Sequence, residues 1–454
     1  MAQTGDSWVE SAGNDIPTAD DLACLADLAA FISASPSPFH LVATIRQRLE
    51  SGSFSEVDES GAWPSEPGRY FAVRDGSVVA WDTSGSPRIA DGFRLLGAHS
   101  DSPNLRVRPR PDREGSGFRQ IGVEVYGGVL LNSWLDRDLG ISGRLVVESA
   151  TGPNSVLVKI DDAIARIPQL AIHLDRSVNA EGLKLDPQQH MVPVWGTGRS
   201  TTGDLMRWIA DRSQIDPALV LAADLMLHDL TPPSVFGADS TLFAASRIDN
   251  QLSCHAGVSA LLDQSETDGG SGVQVLCIFD HEEVGSETAT GAAGSMLETI
   301  LERIAIAAGL SRDEWFSVLA KSICLSTDGA HATHPNYVQR HEPDHQIVVN
   351  RGPVLKVNAN MRYATDAPGI ARVVELARSI GVPLQHFVTR GDMPCGSTIG
   401  PTTSARLGIR TIDIGVAQLS MHSAREMCGS LDPLLFRQLL GAFLATSSEG
   451  PVTS

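Results

Sequence analysis

Residues 273–279, VQVLCIF, are β-favouring and almost wholly apolar, and they empty directly into Asp280, His281, Glu282 and Glu283, with Gly285 and a run of small residues beyond. A run of that length and content reads as a buried strand. Two adjacent glutamates at the carboxyl end of a buried strand are costly unless something cationic compensates them. In a strand-end turn neighbouring side chains point different ways, so one glutamate can bind a metal ion while the other faces a reacting water. Without a cation nearby, the same pair is only a solvated acidic turn. The rest of the chain decides between these readings.

Other strand-like runs end in similar chemistry. Residues 93–98 lead into His99-Ser100-Asp101-Ser102-Pro103, and residues 322–326 lead into Asp328, with His331 and His334-Pro335-Asn336-Tyr337 beyond. A further strand over 410–415 is followed by Met421-His422-Ser423, and Asp249-Asn250 opens a helical pattern that extends to Leu262. A histidine and an aspartate two apart suit a metal ligand and its orienting partner, although the pair alone also fits a surface turn. Asp249 fits a helix N-cap as well as a carboxylate bridging two metals. Strands alternating with helices imply an α/β fold with a mainly parallel sheet, and such sheets collect functional groups at the carboxyl ends of their strands.

Residues 105–240 have a different texture. Alternating stretches at 122–126, 144–148 and 156–160 are separated by Gly127-Gly128 and Gly152-Pro153, and Thr231-Pro232-Pro233 marks the exit. This is read as an inserted β-rich domain that splits a catalytic unit into residues 1–104 and 241–454, the insert serving oligomer contacts. Trp134, Trp195 and Trp208 are assigned to its core. His173 lies in the apolar run Leu170-Ala171-Ile172-His173-Leu174, where a lone histidine reads as a core residue.

Composition narrows the function. The 454 residues carry a formal net charge of -19, so a nucleic-acid partner, which needs a basic face, is not expected. The six cysteines form no C-x-x-C pair and read as buried thiols. Residues 1–21 show neither a basic n-region nor an apolar h-region, and no apolar run approaches the roughly 18 residues of a membrane span. A cytoplasmic enzyme is the expectation. His341-Glu342-Pro343-Asp344-His345 matches H-E-x-x-H, but Pro343 would break a helix carrying both histidines. There is no G-x-S-x-G elbow, and residues 391–401 are glycine-rich without a phosphate-binding fingerprint.

The remaining ligand set, histidines and carboxylates without thiolate, suits Zn²⁺, Mn²⁺ or Co²⁺. Two divalent ions roughly 3.5–4 Å apart need a bridging carboxylate, and a free glutamate beside them can take a proton from water. The strings His99-Ser100-Asp101-Ser102-Pro103, Asp249-Asn250, DHEEVGS at 280–286, Asp328 with HPNY at 334–337, and Met421-His422-Ser423 resemble the aspartyl aminopeptidase family of di-metal exopeptidases, in the family's order and from about Ser37 to the C-terminus. Ser100 stands where threonine is often found. The resemblance implies a three-layer α/β/α metallopeptidase sandwich interrupted by a β-rich dimerisation domain, assembled as tetrahedral dodecamers built from dimers. It implies two divalent ions, most simply zinc, with His99 and Asp328 on one, Glu283 and His422 on the other, and Asp249 bridging. Glu282 becomes the general base and Asp101 the group that orients His99. Substrates would be peptides with a free N-terminal Asp or Glu, met by Lys356, with His331, Tyr363 and Arg362 nearby and His173 reaching in from a neighbouring subunit. A small-amide deacylase on the same metals, or a non-catalytic assembly, remains compatible with the residues themselves.

Overall fold

The computed structural model describes residues 16–85, 89–264 and 272–446. The sequence predicts a loose N-terminal arm over residues 1–18, and most of it lies outside the described residues. Among the described residues, strands form three sheets of nine, six and five strands. At the centre of the largest, Val273–Phe279, Phe93–His99, Ile323–Thr327 and Arg410–Gly415 lie side by side and parallel. Ser77–Asp82 and Val354–Val357 flank them antiparallel, so the sheet is mixed at its margins and parallel where the sequence predicts function.

The strands are apolar on both sides because both faces are covered. Leu96, Ala98, Leu276, Ile278, Leu325, Ile412 and Ile414 share one core with the helices Ala19–Ala34, Pro38–Ser51, Ile248–Asp263 and Asp432–Leu444. Leu95, Val275, Cys277, Phe279 and Cys324 point the other way, toward Met296–Ala307, Arg312–Lys321 and Ile399–Leu407. The period-two alternation therefore divides one sheet between two cores and produces three layers. Local chemistry agrees with the helix starts: Thr18 and Asp21 form a capping box, and Ser37 caps a helix with Pro38 in its first turn.

The six-stranded sheet is antiparallel throughout and is built from chain between Asn104 and Asp229. It has its own core around Leu139, Ile141, Leu145, Leu225 and Leu227, covered by the helix Asp204–Arg212. Trp134 is buried in that core, and Trp195 and Trp208 pack against it and edge to face with each other. Two of its long strands, Asn104–Gly115 and Val220–Asp229, escape the sequence reading, the first because arginine and proline alternate along it. The five-stranded sheet joins Ser234–Phe236, Leu242–Ala245, Glu426–Gly429, Ala417–Leu419 and Ala330–His331. Strands of two to four residues carry no readable period, so nothing in the sequence announces this sheet. Among the described residues no helix is long and apolar enough to cross a membrane.

Candidate metal centre

His99 is the last residue of the strand that runs between Val273–Phe279 and Ile323–Thr327, and Phe279 is its register partner. The turn carrying Glu282 and Glu283 therefore rises on one side of it and Asp328 on the other. Asp249 enters where the Ile248–Asp263 helix begins, at two residues whose dihedrals depart from helical values. His422 comes from the turn between Ala417–Leu419 and Glu426–Gly429. His99 Nε2 lies 3.3 Å from Asp249 Oδ1 and 3.5 Å from Asp328 Oδ1. His422 Nε2 lies 3.4 Å from Asp249 Oδ2 and 3.4 Å from Glu283 Oε2. Among the described residues, three donor groups have their atoms within 4.8 Å of one another: His99, Asp249 and Asp328; Asp249, Glu283 and His422; and His99, Glu282 and Glu283. The first two share Asp249.

The supports behind these residues are as specific as the residues themselves. His99 Nδ1 is 3.0 Å from the Asp101 carbonyl oxygen, which can only accept, so Nδ1 carries the proton and Nε2 is left facing the cluster. His422 Nδ1 donates likewise to the Gly128 carbonyl at 3.0 Å. The Asp101 carboxylate has a wider task than orienting His99, from which it stands 3.4 Å. Its two oxygens accept the backbone N–H groups of Glu282 and Glu283, at 3.0 and 3.1 Å, and the Tyr126 hydroxyl at 2.7 Å. Glu426 accepts from the backbone N–H of both Asp249 and His422, at 2.8 and 2.6 Å. Arg247, His281 and His422 all hold left-handed backbone at these turns, a conformation that non-glycine residues adopt only where surrounding contacts enforce it.

The electrostatics call for cations. Burial alone would lower His99, but Asp101, Asp249 and Asp328 hold its pKa well above the usual imidazole value. His422 is raised to about 10 against its burial, chiefly by Asp249 and Glu283. Burial, then Asp328, Asp101 and Asp249, pushes Glu282 up to about 8 despite His99. Glu283 is raised well above the carboxylate range by burial and Asp249. Glu283 Oε1 is buried without a hydrogen-bond partner, and Asp249 Oδ1, also buried, makes no well-aligned hydrogen bond. Unpaired buried carboxylate oxygens, imidazoles with their free nitrogens turned inward, and a donor set of oxygen and nitrogen fit divalent metal ions.

Beside Asp328 stands a second group of predicted residues. Lys356, fully buried, places Nζ 3.3 Å from Asp328 Oδ2 and 3.1 Å from the Gly329 carbonyl, and 5.0 Å above the Tyr363 ring. Phe387 packs edge-on against Tyr363 and His331. Arg362 is exposed and donates to the Cys395 carbonyl. His173 departs from the core position that its apolar run suggested: it is exposed, and so are Leu170, Ile172 and Leu174 around it. The H-E-x-x-H match is no helix; His341 Nε2 accepts the His334 N–H, and His345 pairs with Glu342 at 2.6 Å. Five of the six cysteines are buried and all are free. Sequence reasoning missed Tyr126, the Gly128 carbonyl and Glu426. Glu426 left one signal, an acid opening the apolar segment just after Met421-His422-Ser423.

Residues 31–444 match the family described as aminopeptidase I zinc metalloprotease (M18). A protein of Mycobacterium leprae (strain TN) named "Probable M18 family aminopeptidase 2" is 51% identical over 426 residues, covering 93% of this chain and 99% of the relative. Among solved structures, that of an Ape4 and Nbr1 complex superposes with a TM-score of 0.90 at 36% identity, covering 94% of this chain and 86% of the other. An mApe1 dodecamer from S. cerevesiae gives a TM-score of 0.82 at 28% identity, covering 92% and 95%.

Proposed function

The chain belongs to the M18 family of zinc metallo-aminopeptidases, and from that premise we propose that it removes N-terminal Asp or Glu from peptides, using two divalent ions and Glu282 as general base. The observation that carries this reading is the pair of donor groups sharing Asp249, with the Glu282 carboxylate at their edge. Asp249, Glu282, Glu283 and Asp328 bring four carboxylates to one place, a charge that two divalent cations would neutralise. His99 and Asp328 would hold one ion, Glu283 and His422 the other, with Asp249 bridging. Zinc is the simplest occupant, and cobalt or manganese suits the same donors. When bound, such ions polarise a scissile carbonyl and lower the pKa of water.

The chain's own residues do the rest. Asp101 fixes the turn so that Glu282 faces the reacting centre, since it holds that residue's N–H. Glu282 takes a proton from the attacking water and returns it to the departing amine. Lys356 and His331 meet the side chain of the first residue, and the Tyr363 ring forms the wall beneath Lys356. An acidic side chain approaching a chain of net charge -19 requires such a local cation.

Lys356→Met is expected to lower kcat/KM for Asp-Ala and Glu-Ala at least about tenfold more than for Leu-Ala. Equal losses across a dipeptide panel would remove the acidic pocket from this account. Running the same panel with N-acetylated peptides separates an aminopeptidase, which needs a free amine, from a small-amide deacylase. A homo-oligomer assembled through the six-stranded sheet completes the reading. The exposed Leu170, Ile172 and Leu174 flank His173 in the connection between that sheet's strands Asn154–Ala165 and Val194–Thr197, and one structural relative is a dodecamer. In light scattering the protein is expected to run as a multiple of dimers, and a monomer would leave His173 without a neighbouring site to enter.

A further inference from the structure

Asp413 is a fully buried carboxylate that the chemistry above does not use. It sits on the Arg410–Gly415 strand in register with Ser326, two residues before Asp328. Its Oδ1 accepts from the hydroxyls of Ser326, at 2.7 Å, and Thr398, at 2.5 Å. Its Oδ2 accepts the Ala364 N–H at 2.5 Å, and its own backbone N–H donates to Thr365 Oγ1 at 2.9 Å. A Cβ placed on Gly400 would fall 2.4 Å from Oδ2, so the first turn of the Ile399–Leu407 helix lies directly against this carboxylate because residue 400 has no side chain. Burying a carboxylate is expensive unless hydrogen bonds satisfy it, and here they come from the strand that leads to Asp328, from Ala364 beside Tyr363, and from Thr398.

Three pieces of chain meet on Asp413: the strand Ile323–Thr327 that leads to Asp328, residues 362–365 that carry Tyr363, and Thr398 within the glycine-rich stretch 391–401. The latter two are also tied on their outer side, Ser397 Oγ donating to the Arg362 carbonyl and Arg362 Nε to the Cys395 carbonyl. Tyr363, 4% exposed, is the ring against which the Lys356 ammonium rests. We propose that Asp413 is a positioning residue for substrate selection, fixing the Tyr363 wall and the 391–398 rim around Lys356 so that the acidic first side chain of a peptide meets a preformed pocket. This rests on the reading of Lys356 as the cation that meets that side chain. Preorganisation is what makes the arrangement selective, because a wall displaced by about 1 Å can cost up to about a hundredfold in rate.

The test compares Asp413→Asn and Thr365→Val with Lys356→Met in the full-length protein, against Glu-Ala, Asp-Ala and Leu-Ala, with metal content and melting temperature measured for each. Thr365→Val removes one anchor without touching the buried charge, and it decides the matter if Asp413→Asn fails to fold. Both variants are expected to keep wild-type metal content and to lose kcat/KM for the acidic peptides, mainly through KM, about tenfold (Asn) and several-fold (Val) more than for Leu-Ala. Equal losses for all three peptides, or activity lost in step with metal, would overturn the proposal. If Lys356→Met shifts the acidic-to-leucyl ratio and neither other variant does, Asp413 alone is misassigned. If the wild type does not favour acidic peptides and Lys356→Met shifts nothing, the pocket reading fails and takes this inference with it.

Discussion

Glu282→Gln is expected to lower kcat by about 10²–10⁴-fold, the range for loss of a general base, with metal content unchanged. Glutamine has the same shape and keeps the backbone N–H that donates to Asp101 Oδ1, so the turn should hold its conformation. The variant loses only the ability to take and return a proton. KM for a good peptide should move little, because the groups assigned to substrate binding stand on other segments. Metal analysis beside the kinetics makes the result decisive. His99, Glu282 and Glu283 form one of the three close donor groups, which leaves Glu282 within reach of a ligand role. A variant that loses an ion together with activity would make Glu282 a ligand and require a different base. A variant that keeps near-normal turnover would remove it from the chemistry.

The residues that define this centre were legible because they sit at the ends of apolar strands, and a strand's length and composition can be read locally. Phe93–His99 delivers His99, Val273–Phe279 delivers the two glutamates and Ile323–Thr327 delivers Asp328, all from runs visible in the sequence. Asp249, which opens a helix, and His422, several residues past its strand, carry a weaker positional signal, and the motif resemblance supplied their pairing with the other ligands. Tyr126, Glu426 and Asp413 were not legible, for one common reason. Each makes a hydrogen bond to a residue far along the chain, 25 positions for Tyr126, 177 for Glu426 and 87 for Asp413, so its chemistry exists only after distant segments have come together. The five-stranded sheet was invisible on the same ground, since its short strands acquire meaning only from their partners. His173 marks the opposite failure. An apolar neighbourhood along the chain suggested burial, whereas in the single chain those neighbours face outward.

Stripping the metals is expected to destabilise the protein increasingly as pH rises, with the gap in melting temperature between loaded and chelated protein widening from pH 6 to pH 8. The sign follows from the groups at the centre. In the metal-free fold Glu282 is raised to about 8 and Glu426 to about 8, chiefly by burial, and burial also raises Glu283 well above the carboxylate range. A group whose folded pKa exceeds its unfolded one contributes stability that is fully present below the unfolded value and is lost as pH climbs to the folded value. For these glutamates that window runs from about 4.5 to about 8. His99 and His422, also raised, act in the same direction above the ordinary imidazole value. Asp101 and Asp249 are lowered, so their contribution is already complete at pH 6 and does not change across the window. His40, His228 and His255 are depressed by burial and have the opposite sign, but unlike Glu426, which holds Asp249 and His422, they bond to Ser37, Asp161 and Asp27 away from the donor groups and cancel when loaded and chelated protein are compared at the same pH. The metals must displace the protons held at the centre, so affinity should rise about tenfold per pH unit for each proton released. Calorimetry of zinc binding in two buffers of different ionisation enthalpy counts those protons directly. A count of zero, or a stability gap that narrows toward pH 8, would mean that the carboxylates stand ionised without their cations and that the centre is organised by something other than metal.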